Sequence, residues 1–427
     1  MKLALLAALG TAAVILLVPA VASASPYIQY GVQDDAYLSA GPSLDSRLAT
    51  LDRMGAKLVR YTVNWRQVAP TRPKQAVNPG DPAYDWTNTD AVLNGLHKHR
   101  IAALVTLYGT PAWANGGRKA SAIPSSKWSL AAFATAVARR YPWVRMWEVW
   151  NEPNLSSFLS PNSPGLYVQR LLNPTYAALH ALDRANRVAG GATSPRPTPS
   201  GMSPVAFMRG MRAGRPRMDA YSHHPYPVTR RERPNGFHGN ACRYCKGVLT
   251  MANLPLLLQE VRRDFGAKRI WLTQYGYQTN PPDPSGVSRS VQAQYLAEAA
   301  LRARNARFVD VLVNFMVEDE TRLAGWQSGL LTASGSAKPS FNSFMLPIAQ
   351  AARTGMRTTI WGQVRTGFGK RAYRLQRLAS GRWVNVGAPA LTSLRGSYTR
   401  VVRAVPGTHF RVLWLPSRTA SRTTVVH

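Results

Sequence analysis

Three stretches of this 427-residue chain hold residue types that could do chemistry, each at the end of a β-rich run. "WEVWNEPN" (147–154) carries Glu152 between Asn151 and Pro153, and a carboxyl at a buried strand's end is placed to give or take a proton. "SHHPYP" (222–227) brings His224 and Tyr226 to a second strand end. "IWLTQYG" (270–276) ends in Gln274, nearly the shape of glutamate but uncharged and a very poor nucleophile. Glu148 shares the strand parity of Glu152 and is expected to point into the interior toward Arg60 as a structural partner.

These residues need a scaffold, and the hydrophobic periodicity supplies one. Short runs, "YIQYGV", "LVRYTV", "AALVTL", "RMWEVWN", "RVAGGA", "MDAYSH", "IWLTQ" and "VDVLVNF", alternate with longer amphipathic ones such as "WTNTDAVLNGLHKH", "WSLAAFATAVARRY", "LLLQEVRRDFG" and "VQAQYLAEAALRARN". "SFNSFMLPIAQAA" follows the last strand and is expected to be the closing helix. Eight such units over 25–352 predict an α/β fold, a (β/α)8 TIM barrel, whose chemistry sits at the C-terminal ends of its strands. From Arg353 the pattern becomes "TTIWGQV", "AYRLQRL", "RWVNVG", "TRVVRA" and "FRVLWL", and predicts a small antiparallel β-sandwich over 353–427.

The chain opens with Lys2, an apolar run and "ASA" ending at Ala24, which reads as a secretory signal peptide over 1–24. An uncleaved anchor is the alternative, and no other stretch is apolar for long enough to span a bilayer. The expected location is secreted or cell-wall associated. Cys242 and Cys245 form a C-x-x-C pair, open to a metal half-site, a redox pair or a short disulfide. With no further thiolates and an oxidising compartment, the disulfide is favoured.

The charge is unusual: 53 basic against 20 acidic residues, a net of +33, while an apolar fraction of 45% excludes a disordered chain. Such a field favours polyanionic surroundings, an acidic polysaccharide or a teichoic-type wall. Nucleic acid is not the expected partner, because a secreted chain has little access to it and no recognition motif appears. Residues 353–427 hold 13 Arg, one Lys and no Asp or Glu, interleaved with Trp361, Trp383 and Trp414. This segment reads as a solvated accessory domain or as a wall- or glycan-binding module. No metal cluster, phosphate loop or nucleotide fingerprint is present, so no cofactor is implied.

"WNEPN" at a fourth strand resembles the acid/base motif of the retaining (β/α)8 glycoside hydrolases of clan A. The resemblance runs through the barrel: "GAKLVRYTVNW" with Arg60, "YDW" (84–86), "GTPAWA" (109–114), "SHHPYP", "GLL" and "KPSF" (338–341) are all similar to that clan. It implies a secreted protein acting on or binding a β-linked glycan, neutral or acidic. Glu152 would be the general acid/base, and Asn151 would bind the sugar 2-hydroxyl. Arg60, His224, Tyr226 and Trp326 would be further substrate contacts.

Two positions depart from the clan. Gln274 stands where its nucleophilic carboxylate is expected, and Phe315 and Met316 stand where a tryptophan floor is usual. With a neutral amide at 274, Arg60 is expected to leave positive charge in the cleft. Glu152, lacking a like-charged neighbour, is expected to be more acidic and a poorer proton donor. Asp34, Asp35, Glu318, Asp319 and Glu320 are candidate replacement carboxylates, and a substrate acetamido group is another route. The competing functions are a hydrolase with a replaced nucleophile, a non-catalytic polysaccharide or wall binder with a polyanion-binding C-terminal domain, and a basic surface protein indifferent to sugar.

Overall fold

The computed structural model describes Ser25 and residues 28–230, 232–236 and 247–427. The leader-like segment at 1–24 and the Cys242–Cys245 pair lie outside the described residues.

Eight parallel strands close a barrel in sequential order. They are β1 (Gln29–Gln33), β2 (Leu58–Asn64), β3 (Ala102–Tyr108), β4 (Met146–Val149), β5 (Arg187–Thr193), β6 (Ala220–His223), β7 (Arg269–Tyr275) and β8 (Val309–Phe315). The β-rich runs of the sequence become these strands because they are buried on both faces. Closure falls between β1 and β8, where Gln29 pairs with Val311 and Gln33 with Phe315. On the other side of β1, Gly31 lies so close to β2 that an added Cβ would stand 2.7 Å from the Leu58 carbonyl oxygen. Leu58, Leu104, Ala189, Ala220, Trp271, Val311 and Val313 form one apolar cluster of strand residues, and a larger cluster joins strands to the surrounding helices.

The outer shell includes α1 (Leu44–Arg53), α2 (Thr87–Lys98), α3 (Ser129–Arg140), α4 (Asn173–Leu182), α5 (Pro204–Ala213), α6 (Leu254–Phe265), α7 (Arg289–Asn305) and α8 (Pro339–Met345). A short helical turn at Pro164–Leu166 and a π-helical turn at Tyr167–Leu172 lead directly into α4. Among the described residues no helix is long and apolar enough to cross a membrane.

The closing helix is shorter than the sequence suggests. Leu346 precedes Pro347, a position that disfavours helical backbone, so α8 stops at Met345 and the expected helical tail "PIAQAA" enters a strand. The β domain therefore begins with β9 (Ile348–Thr354), not at Arg353. It pairs antiparallel with β10 (Arg357–Gln363), which pairs with β13 (Ser397–Arg403). A second antiparallel sheet is built on β11 (Ala372–Ala379), β12 (Arg382–Asn385) and β14 (His409–Trp414). Ile348, Ile360, Tyr373, Leu375, Tyr398, Phe410 and Val412 form the core of this sandwich.

The two domains share buried contacts. Trp361 is 1% exposed and belongs to the barrel's hydrophobic cluster. The Arg365 guanidinium lies 3.8 Å from the Tyr30 ring centre and 4.7 Å from that of Phe344. Gly55 approaches Arg365 so closely that a Cβ there would stand 2.6 Å from its carbonyl carbon.

Candidate active site

Glu152 reaches the barrel rim through a left-handed turn. Trp150 (φ 75°) and Glu152 (φ 41°) both take a backbone conformation unfavourable for non-glycine residues, as does Ala192 (φ 44°) facing them. Such strain costs about 1–3 kcal/mol per residue and persists only where surroundings over-determine it. Here the Glu152 N–H donates to the Ala192 carbonyl (2.9 Å) and Trp150 N–H to that of Leu107 (3.0 Å). The buried Trp150 indole donates to the Phe158 carbonyl (2.7 Å). The turn aims the Glu152 carboxyl into a cleft of about 1130 Å3 that Asn151, Tyr226, Gln274, Phe315 and Trp326 also line.

The Glu152 side chain is only 13% exposed, and its Oε1 lies 2.9 Å from Nδ1 of the fully buried His224. Burial pushes the Glu152 carboxyl up to about 7, opposed by the positive charge of Arg60. The expectation of a poorer proton donor near neutral pH is therefore corrected: desolvation outweighs the absence of a like-charged neighbour. Burial also holds His224 well below the ordinary histidine range, so its imidazole is neutral and its Nδ1 shares one proton with the Glu152 carboxyl. His223 beside it is structural, bonded to Thr193 and the Leu249 carbonyl.

Under the rim lies a polar network drawn from six strands. The Glu148 carboxylate accepts from Arg60 Nε (2.6 Å), Thr106 (2.8 Å) and Ser222, whose hydroxyl lies 2.7 Å from that of Thr273. Arg60 also donates to Gln33 (2.5 Å) and to the Asn151 side-chain oxygen (2.8 Å). Arg60 and Glu148 are both fully buried. Burial pushes the Glu148 carboxyl up, but the Arg60 charge and the donated hydroxyls outweigh it, so Glu148 is held below the ordinary range. Arg60 consequently leaves no uncompensated charge in the cleft, and the expectation that it would is corrected. Neither Arg60 nor His224 reaches the cleft surface, which corrects the expectation of direct substrate contacts there; each meets it only through a bonded neighbour, Asn151 for Arg60 and Glu152 for His224.

Gln274 ends β7, 8% exposed, and its side-chain oxygen accepts from the Tyr226 hydroxyl at 3.2 Å. That bond leaves the amide NH2 as the end offered to a ligand. Arg60 fixes the Asn151 amide in the same sense. Gly276 follows because an added Cβ would collide with the Phe315 carbonyl oxygen of β8. The two cleft amides thus have their oxygens engaged by protein donors.

Aromatic residues nevertheless line the cleft. Trp326 stacks on Tyr226 with centroids 5.5 Å apart, and Phe315 packs edge-on against Trp326 at 5.2 Å. Phe315 and Trp326 give the cleft an apolar wall, whereas Met316 is buried away from it. Of the candidate replacement carboxylates only Asp35 lines the cleft, and it accepts from the Thr62 N–H (3.0 Å). Asp34 is buried and accepts from the Tyr37, Val317 and Glu318 N–H groups; Asp319 is buried against Lys338 at 2.7 Å. Glu318 and Glu320 do not line the cleft. Asp283, Arg196 and Arg230 do, on loops that the sequence reading passed over. Gln33, Thr106, Ser222 and Thr273 of the network beneath were passed over as well, although the parity that marked Glu148 also marks Thr106 and Ser222 as inward-facing. Among the described residues no group of three or more His, Cys, Asp or Glu could hold a metal.

No protein-family model and no curated protein matches this sequence. Solved structures do. A family 39 glycoside hydrolase from the gut symbiont Bacteroides cellulosilyticus WH2 superposes with a TM-score of 0.58 at 17% identity, covering 88% of this chain and 81% of that one. A glucosidase from Croceicoccus marinus gives 0.59 at 14%, covering 90% and 94%. A hyperthermophilic β-glucosidase from Pyrococcus furiosus gives 0.52 at 12%, covering 75% and 94%. The likeness shows the fold: a barrel of the architecture these glycoside hydrolases share, followed by a β domain.

Proposed function

We propose that this chain takes up a β-linked glycan in the barrel cleft, with Glu152 as the acid/base group and no side chain at 274 able to form a glycosyl-enzyme. One observation carries the reading. The Gln274 amide is hydrogen-bonded by Tyr226 in the cleft that holds Glu152, where a retaining mechanism needs an anion. A protein built this way binds the sugar through Asn151, Gln274 and the Tyr226–Trp326 wall and does not run the double displacement. The leader-like N-terminus and the +33 charge support a place outside the cytoplasm, held by an anionic wall or polysaccharide.

Hydrolysis by another route is the second reading. Glu152 with a carboxyl near 7 suits a general acid at neutral pH, and Asp35 or a nucleophile carried by the substrate would complete the chemistry. A panel of aryl β-glycosides given to wild type, Gln274→Glu and Glu152→Gln separates the two. Activity in Gln274→Glu alone supports the binder. Activity in wild type that Glu152→Gln removes supports the alternative route and overturns the first reading.

A further inference from the structure

The two most exposed tryptophans among the described residues are Trp326, at 41%, and Trp128, at 61%. The first is on the cleft wall. The second lies on the outside of the barrel, directly before α3, and lines a separate groove of about 660 Å3. The π-helical turn and the start of α4 line it as well, through Gln169, Arg170 and Asn173. Lys127, Arg170 and Arg217 all line this groove, and no carboxylate does.

The cations are held in place by groups that do not neutralise them. Arg170 donates to the Ser125 carbonyl at 3.0 Å, fastening the Trp128 segment to the π-helical turn. Arg217 lies 4.8 Å from the Tyr176 ring centre, and its backbone N–H donates to Asn173 (2.7 Å). Lys127 lies 4.8 Å from the Trp128 ring centre. Asp219, two residues beyond Arg217, accepts instead from His180 and the Val188 N–H. Three unneutralised cations around a concavity concentrate anions. An exposed indole with a polar rim offers a flat apolar face for binding.

We propose that this groove is a second carbohydrate site, separate from the cleft, for an acidic oligosaccharide. The sugar ring lies on Trp128, and its carboxylates meet Lys127, Arg170 and Arg217. A neutral sugar would use the indole but leave the cations without a purpose; a flexible acidic peptide would use the cations but not the flat face. The site is independent of the reading for the cleft, because no residue lines both.

The test is calorimetric titration of the full chain with a linear oligouronate and with its carboxyl-reduced neutral counterpart, near physiological salt. Trp128→Ala and Lys127→Gln change exposed side chains, and unchanged melting curves confirm their folding. The expected result is oligouronate binding that Trp128→Ala weakens about tenfold, Lys127→Gln weakens less, and Trp326→Ala leaves unchanged. No binding, or equal binding of the neutral counterpart, overturns the proposal. So does binding that Trp326→Ala abolishes and Trp128→Ala spares, which makes the oligouronate a cleft ligand. Polyglutamate binding as tightly with the same dependence on Trp128 also overturns it, in favour of an acidic polypeptide.

Discussion

The two sides of the cleft have been treated differently. On the β4–β6 side Glu152 keeps what a proton-transfer carboxyl needs: a strained turn that aims it, burial that lifts it to about 7, and a neutral histidine that orients it. On the β7 side, Tyr226 donates to an amide that cannot take up charge. The network beneath explains how both coexist. Arg60 is neutralised by Glu148, so the barrel interior is charge-balanced without a carboxylate at 274. An amide at 274 need not leave a destabilised site.

That contrast can be broken most forcefully at the proton donor. In a Gln274→Glu background, Glu152→Gln is expected to lower aryl β-glycoside turnover by about 10²–10⁴-fold, the usual contribution of general acid–base catalysis. A smaller loss would mean that the β4 side is not an acid/base site. Next comes the network. Arg60→Met leaves the Glu148 carboxylate buried and unpaired, and is expected to destabilise the barrel by about 3–5 kcal/mol in denaturant titrations.

The stability effect of Glu152 has the opposite sign. Its folded value, about 7, lies above its ordinary 4.5, so the unfolded chain loses its proton first as pH rises. Wild-type stability contributed by this group therefore falls between pH 4.5 and 7. Glu152→Gln is expected to match wild type at pH 4 and to exceed it at pH 8 by roughly 1–3 kcal/mol. Equal pH profiles would remove the argument that burial tunes this carboxyl.

Two smaller measurements sharpen the comparison. Introducing a charge with Gln274→Glu is expected to raise the Glu152 midpoint by about one pH unit through like-charge repulsion, read from carboxyl NMR shifts. Tyr226→Phe removes only the hydroxyl that holds the Gln274 oxygen, and is expected to weaken glycan binding by about 1 kcal/mol. An effect far larger would point to a role for the hydroxyl beyond fixing the amide.

The β domain offers a second contrast with the barrel. Its charge suggests a free polyanion module, yet Trp361 and Arg365 are buried against barrel residues. Basic residues still crowd its surface, and Arg357 pairs directly opposite Arg403 across β10 and β13. Like charges facing each other are unfavourable without an anion. This is the arrangement expected of a surface that meets a polyanion, and it supports the wall-retention part of the proposal.

The barrel was legible in the sequence because strands buried on two faces must be apolar and short, and eight of them alternating with amphipathic helices leave few architectures. Glu152 and Gln274 were legible because they end such strands. The turn at Leu346–Pro347 was missed because an apolar run of that length suits either a helix or a strand until its packing partner is known. What the sequence by itself determined was the order of elements and the residue types at the rim. Tertiary structure alone decided their chemistry. Whether Arg60 faces a ligand or Glu148, and whether Glu152 holds its proton at neutral pH, depends on burial and on partners brought together from strands far apart in the chain. Desolvation and pairing act through space, and no local pattern encodes them.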